Sequence, residues 1–152
     1  MLPRLVFFGS LLSCFARLAD ASAITFGVSV DTSSISTTTG SLDFQFDPGL
    51  LVTQAASLQI LSFSSDGSLT DCAANVQGFC PTGDVSGTLP GTLTFDNGTG
   101  FNDYFDGFTF GTMIVFDVSL YGPTLTSPDG ISTSASTFAF SPFSDAAGTM
   151  PC

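Results

Sequence analysis

A stretch rich in oxygen-bearing side chains runs from residue 96 to residue 106. It reads Asp-Asn-Gly-Thr-Gly-Phe-Asn-Asp-Tyr-Phe-Asp. Calcium takes roughly six to eight oxygen ligands, and carboxylates, amide carbonyls and backbone carbonyls all supply them. The spacing differs from that of an EF-hand loop, and the same residue types are common in ordinary turns. The stretch therefore gives a calcium hypothesis, with Asp96, Asn97, Asp103 and Asp106 as candidate ligands.

The residue types in the rest of the chain exclude most catalytic machinery. Residues 24–152 contain no histidine, lysine, arginine or glutamate, so Ser-His-Asp, Cys-His and Schiff-base chemistry are all excluded. Asp103 and Asp106 could in principle act as a glycosidase pair, but they fall in a predicted turn and the chain has no tryptophan on which a sugar could stack. Asp31 and Thr32 resemble the start of an aspartic protease motif, but Ser33 stands where that motif needs glycine. The sequence therefore predicts a protein that is not an enzyme.

Three cysteines follow residue 23. Cys72 and Cys80 lie close together between two predicted strands, which makes them candidates for a disulfide in an exported protein. Such a bond would stabilise the fold by about 2–3 kcal/mol. Zinc is excluded because no histidine or further nearby cysteine completes a tetrahedral site. Cys152 is the last residue, and a free thiol, an intermolecular bond and an effect of where this chain stops all remain open.

The N-terminus has the features of an export signal. Arg4 precedes an apolar run, and a small-residue cleavage pattern ends at Ala23. The run is shorter than the roughly 20 residues of a membrane-spanning helix. We therefore predict a signal peptide over residues 1–23 and one domain over residues 24–152. A less favoured alternative is a lipoprotein signal, in which Cys14 would become the lipidated N-terminus.

Removal of the signal leaves a strongly acidic chain. Both arginines and Asp20 lie within residues 1–23, so residues 24–152 carry twelve aspartates and a side-chain charge of −12. Binding to phosphate groups needs lysine or arginine, which excludes nucleic acid and anionic membranes as partners. Cations are the natural counter-ions of such a surface.

Apolar residues alternate with polar ones in several short segments. The alternation and the 17 phenylalanines favour strands, and Asp, Asn, Gly and Pro clusters supply turns between them. The pattern predicts an all-β, antiparallel β-sandwich or jelly roll with one wet face on each sheet. The predicted strands comprise residues 24–30, 42–47, 58–63, 93–95, 108–120 and 138–140.

Four segments of the chain resemble a family of bacterial exported proteins that carry PEP-CTERM sorting signals. The segments are residues 24–34, 40–49, 83–91 and 101–112, and the last is the most similar. The resemblance implies export by a Gram-negative bacterium and exosortase-dependent sorting to the cell surface or extracellular matrix. No activity is established for that family, so the resemblance assigns no catalytic residue.

The chain departs from the family pattern at two places. The segment with Cys72 and Cys80 is an insertion, and the chain ends before the further strand, Pro-Glu-Pro motif, apolar helix and basic tail of the family. A gene fragment, a frameshifted gene and a freely secreted variant are all open. Compared with the family pattern, the sandwich would lack its last strand. This predicts unpaired backbone groups along residues 108–120, and such an edge favours self-association.

These observations predict a non-enzymatic secreted or cell-surface protein without a required cofactor. Its expected partners are other copies of the chain or an extracellular polysaccharide or matrix. The alternative function is that of a Ca²⁺- or glycan-binding β-sandwich module.

The predicted signal peptide can be tested directly. N-terminal sequencing of the protein purified from its native host should begin at Ile24, because the small residues before it form the cleavage pattern. A mature protein that retains Met1 would contradict export, and one that begins at a lipidated Cys14 would support the lipoprotein route.

Overall fold

The computed structural model of this protein describes residues 23–70 and 81–152. The predicted signal peptide up to residue 22, the Cys14 alternative and the predicted Cys72–Cys80 disulfide lie outside those residues. Cys152 lies within them and has an exposed, free thiol. No helix in the described ranges is long and apolar enough to cross a membrane.

Nine strands account for about half of the described residues. They are β1 (Ile24–Asp31), β2 (Thr39–Asp47), β3 (Ser57–Ser65), β4 (Ser68–Leu69), β5 (Val85–Ser86), β6 (Leu93–Asp96), β7 (Asp103–Thr109), β8 (Met113–Tyr121) and β9 (Thr137–Phe143). The described helices are a 3-10 turn, Ser33–Ile35, and the four-residue helix α1, Pro123–Thr126. Both are too short to contribute a helical layer.

The strands form two antiparallel sheets packed face to face, which confirms the predicted all-β sandwich. The five-stranded sheet has the order β1-β8-β3-β6-β5, and the four-stranded sheet has the order β4-β7-β2-β9. Several neighbouring strands are far apart in the chain. In the β1–β8 ladder, for example, Ile24 is aligned with Leu120 and Asp31 with Met113.

Aromatic side chains hold the two sheets together. The Phe44 ring of β2 lies 5.3 Å from that of Phe116 in β8 and 4.7 Å from that of Phe140 in β9. Phe116 and Phe140 lie 5.1 Å apart in an edge-to-face arrangement. Such pairs are favoured by the ring quadrupole as well as by burial. This phenylalanine triad spans the gap between the sheets.

A β-bulge in β3 explains an irregularity of its sequence pattern. Leu58 and Ile60 occupy alternate positions, but the next buried residue, Phe63, is three positions further on. The register against β8 shifts between Leu61 and Ser64, and an extra residue at such a point reverses the faces that follow. All three apolar side chains can therefore face the core.

The predicted strand over residues 108–120 is two strands rather than one. β7 ends at Thr109 and β8 begins at Met113, and the predicted turn at Asp106 lies inside β7. The Asp66 carboxylate accepts hydrogen bonds from the Thr112 backbone N–H (2.8 Å) and side-chain O–H (2.7 Å), and from the Met113 N–H (3.0 Å). These bonds hold the chain reversal in place.

The predicted open edge beside residues 108–120 is also wrong. β7 lies between β4 and β2, and β8 lies between β1 and β3. In the part of the chain that the structure describes, the strands with one free edge are the outermost ones of each sheet, including the long strand β1. The sequence could not show this, because strand order depends on contacts between distant segments.

The phenylalanine triad predicts where the core is most sensitive. Phe116→Ala should lower the free energy of unfolding by about 3–5 kcal/mol, because it removes a buried ring and leaves a cavity between the sheets. Phe101→Ala is the matched control, since Phe101 is about half exposed in a loop, and should cost about 1 kcal/mol or less. Urea unfolding followed by circular dichroism measures both, and equal losses would contradict the assigned core.

Candidate functional site

The oxygen-rich loop that follows β6 is held by a residue outside the four candidate ligands. Asn102 is fully buried, and its side-chain N–H groups donate to the backbone carbonyls of Phe46 (3.0 Å) and Thr99 (2.9 Å). Its side-chain oxygen accepts from the Asp84 N–H (2.8 Å), and its own backbone N–H donates to the Asp47 carboxylate (2.7 Å). These hydrogen bonds attach the loop to β2. They also occupy the amide groups of Asn102 and the carboxylate of Asp47, which would otherwise be free to bind an ion.

Asp96 and Asn97 have structural partners. The Ser57 hydroxyl donates to the Asp96 carboxylate. The Asn97 side chain accepts from the Ala56 N–H (2.9 Å) and donates to the Gln54 carbonyl (2.9 Å). Together these contacts join the end of β6 to the start of β3, so both side chains serve a strand junction.

Asp103 and Asp106 lie on opposite faces of β7, because they are three positions apart in a strand. Asp106 faces the core, where the Tyr104 hydroxyl donates to its carboxylate (3.1 Å) and accepts from the Leu89 N–H (3.0 Å). Asp103 faces away from the core. The four candidate ligands therefore do not converge on one ion.

The described residues hold no group of three or more acidic, cysteine or histidine side chains placed to bind a metal. Calcium binding remains a prediction, but the four-residue site proposed from the sequence is not assembled.

The fold creates a carboxyl pair on the outer face of the four-stranded sheet that the local sequence pattern does not reveal. Asp43 and Asp103 lie on neighbouring strands, and each is only 8 % exposed. Among the described residues, one oxygen of each carboxyl group has no hydrogen-bond donor, while the Gln45 side chain donates to the other oxygen of Asp43 (2.9 Å). No basic side chain exists in residues 24–152 to neutralise the pair.

Burial and mutual repulsion determine the protonation of this pair. Burial, followed by the adjacent Asp43 and then Asp47, raises the pKa of Asp103 to about 8. Burial also raises the pKa of Asp43. The two groups therefore share one proton at neutral pH, which is held on Asp103, and the protonated Asp103 carboxyl donates to Asp43.

A carboxyl pair that shares one proton is also the chemistry of aspartic proteases. Here both groups are nearly buried, which leaves little room for a substrate to reach the oxygens. The only sequence signal for this pair was the alternation of polar residues at positions 43, 45 and 47, and that pattern indicates a strand face exposed to solvent. The burial of Asp43 on this face is a consequence of the tertiary structure.

A cavity of about 250 Å³ opens at one end of the sandwich. Its walls come from both sheets and from the segments that connect them, with Phe46 of β2, Leu120 and Tyr121 of β8 and Leu125 of α1 among the lining residues. This cavity could not be predicted from the sequence, since its walls come from segments far apart in the chain.

The shared proton predicts an unusual dependence of stability on pH. A carboxyl pKa raised from 3.8 to about 8 on folding means that the folded state binds more protons between those values. The free energy of unfolding should therefore fall as pH rises from 5 to 7.5, by at most about 1.4 kcal/mol per pH unit. Asp103→Asn should flatten this slope and be more stable at pH 7.5, because its amide N–H can donate to Asp43.

Asp129→Asn, in an exposed loop, is the matched control and should keep the wild-type slope, because hydrogen bonds lower the pKa of Asp129 and keep it ionised throughout this pH range. Urea unfolding across the pH series measures all three proteins. A wild-type protein that gains stability between pH 5 and pH 7.5, or an Asp103→Asn variant with an unchanged slope, would contradict the shared proton.

Comparisons with known proteins give no family assignment. No protein-family model matches the chain, and searches of curated proteins and of solved structures return no significant match. The resemblance to exported PEP-CTERM proteins therefore remains a prediction from the sequence, and functional inference rests on the geometry of the described residues.

Proposed function

We propose that this protein is a non-enzymatic, exported structural protein that assembles with copies of itself through the outer edge of β1. The observation that carries this proposal is the length and chemistry of that edge. β1 pairs with β8 along one side over all eight of its residues, without a register shift. No other strand in the described ranges pairs with its opposite side.

The unpaired backbone groups of β1 can be identified from the register. Thr32 follows β1, and its N–H donates to the Thr112 carbonyl at 2.9 Å, which continues the β1–β8 ladder. Since backbone groups alternate in direction along an antiparallel strand, even-numbered residues of β1 bond to β8. The N–H and C=O groups of Thr25, Gly27, Ser29 and Asp31 therefore point to the free edge.

The side chains of β1 add apolar surface to this edge. Val28 and Val30 pack against the core, but Phe26 and Ile24, which face the same way, are about half exposed. Natural proteins usually protect a long edge with lysine, proline or a bulge, and β1 has none of these. An unprotected edge with apolar side chains favours the addition of another strand.

The charges of β1 are compatible with pairing between two copies. Asp31 is its only charged residue and lies at one end. Two β1 strands that pair antiparallel place their Asp31 carboxylates at opposite ends, so the like charges are far apart. The charge of −12 over residues 24–152 still repels a second copy, and salt screens that repulsion. Assembly should therefore strengthen as salt concentration rises.

Two further observations support a structural role. The residue types exclude the common catalytic arrangements, and the carboxyl pair is nearly buried. The resemblance to PEP-CTERM proteins supports a location at the surface or in the extracellular matrix, where assembly of copies is a useful property. Calcium or glycan binding remains the alternative function, with no located site among the described residues.

The proposal predicts the effect of proline on the free edge. Ser29→Pro removes an outward N–H while leaving the ladder to β8 intact, and proline is tolerated at edge positions of this kind. Sedimentation velocity of residues 24–152 should show wild-type oligomers whose fraction increases with salt, and a monomeric Ser29→Pro variant with a wild-type circular dichroism spectrum.

A charge-based pair of variants provides the control. Phe26→Lys places an inward-pointing charge on the edge strand and should also give monomers. Phe101→Lys makes the same change at a loop residue of similar exposure, 49 % against 54 %, and should assemble like the wild type. A wild-type protein that stays monomeric at all salt concentrations, or assembly unaffected by both β1 variants, would contradict the proposal.

A further inference from the structure

We propose that the cavity at the end of the sandwich is a binding site for a small, uncharged, largely apolar molecule. The site is independent of the β1 edge. It lies where β2 and β8 end and β3 begins, so its inner wall is a continuation of the core. Phe46 contributes from the four-stranded sheet and Leu120 from the five-stranded sheet, with Leu125 of α1 on the connecting side.

The polar side chains of the wall are engaged with the protein itself. The Thr53 and Ser134 hydroxyls share a hydrogen bond of 2.7 Å, and the Thr124 hydroxyl donates to the Ala55 carbonyl at 2.8 Å. The other polar lining side chains also have partners in the protein. A polar ligand would lose its own bonds to water on entry and gain few in return. The wall therefore favours an apolar ligand.

Charge also restricts the ligand. No lining residue in the described ranges carries a charge. Asp96 lies just behind the wall, where its carboxylate accepts a hydrogen bond from the Ser57 hydroxyl. Burial, together with the field of Asp96, raises the pKa of the Tyr121 hydroxyl, which shows that this region disfavours negative charge. An anionic ligand such as a fatty acid carboxylate is therefore excluded from the interior of the cavity.

The volume sets the size of the ligand. An apolar protein cavity of about 150 Å³ accommodates benzene. A cavity of about 250 Å³ accommodates a molecule with on the order of ten non-hydrogen atoms, such as two fused rings or a medium-length alkyl chain.

An exposed apolar loop lies beside the cavity. The Val52 carbonyl accepts from the N–H groups of Thr133 and Ser134, and Ser134 lines the cavity. Leu50 and Leu51 on this loop are exposed to solvent. Exposed apolar side chains next to a cavity offer a surface for the part of a larger ligand that stays outside.

The uncharged fluorescent probe N-phenyl-1-naphthylamine tests the site, with its two fused rings in the cavity and its phenyl ring against the neighbouring loop. We expect saturable fluorescence enhancement with residues 24–152, and displacement of the probe by 1-decanol but not by decanoate. Displacement by naphthalene would identify a preference for rings, and displacement by 1-decanol alone a preference for chains. The absence of saturable binding, or equal displacement by decanoate, would overturn the proposal.

Matched variants locate the probe. Leu125→Asp places a charge in the wall and should weaken binding at least tenfold. Leu50→Asp, on the neighbouring loop, should weaken binding by a smaller factor, and Met150→Asp, at an exposed residue outside the cavity, should leave it unchanged. Ala135→Trp should block the cavity, with Ala147→Trp at an exposed site outside it as control. Thermal unfolding checks that each variant is folded.

Wild-type affinity in folded Leu125→Asp and Ala135→Trp would overturn the proposal. A loss in Leu50→Asp equal to that in Leu125→Asp would also overturn it, because binding would then belong to the exposed loop. The Ser29→Pro variant should bind the probe normally, so a failure of assembly and a failure of this site are distinguishable.

Discussion

The contact of Phe44 with Phe116 and Phe140 is the interaction on which the rest of this structure depends. It joins the two sheets at their centre, and the buried apolar side chains of β2, β3, β7 and β8 pack around it. A sandwich of this kind is stable only if both inner faces are filled at close to crystal density. This packing ends at the ends and sides of the sheets, and the two features that suggest a function, the cavity and the free edge of β1, lie there.

Two such features have the same physical origin. At one end, the connecting segments cover the space between the sheets without filling it, which leaves the cavity beside Phe46 and Leu120. At one side, Ile24 and Phe26 of β1 remain about half exposed, beside an edge with which no other described strand pairs. Both are places where apolar surface is formed by the fold but is not buried within it.

The absence of basic side chains is the second constraint. Twelve aspartates in residues 24–152 have no lysine or arginine to pair with, so the protein stabilises them in other ways. Exposed carboxylates such as Asp66 and Asp145 accept bonds from backbone N–H groups, which lowers their pKa values. The buried pair of Asp43 and Asp103 has no such donors for its inner oxygens, so there a proton takes the place of a cation.

Local residue patterns were sufficient to predict that the domain is an antiparallel sandwich, because alternation and turn residues act within a few positions. They identified the segments of β1, β2, β3, β6 and β9 and most of the buried phenylalanines. They failed at Asp106 and Gly107, where turn-type residues lie inside β7, since pairing with β2 overrides their local preference. They also could not give the directions of the four candidate calcium ligands, because these depend on which face of each strand is buried.

The sequence by itself determined which segments form strands, the excess of negative charge, and the residue types that exclude common catalytic chemistry. Only the tertiary structure decided which strands are neighbours, which edge is free, that Asp43 meets Asp103 and that a cavity remains at one end. Each of these depends on contacts between residues far apart in the chain, and their geometry follows from the packing of both sheets at once, which no local pattern contains.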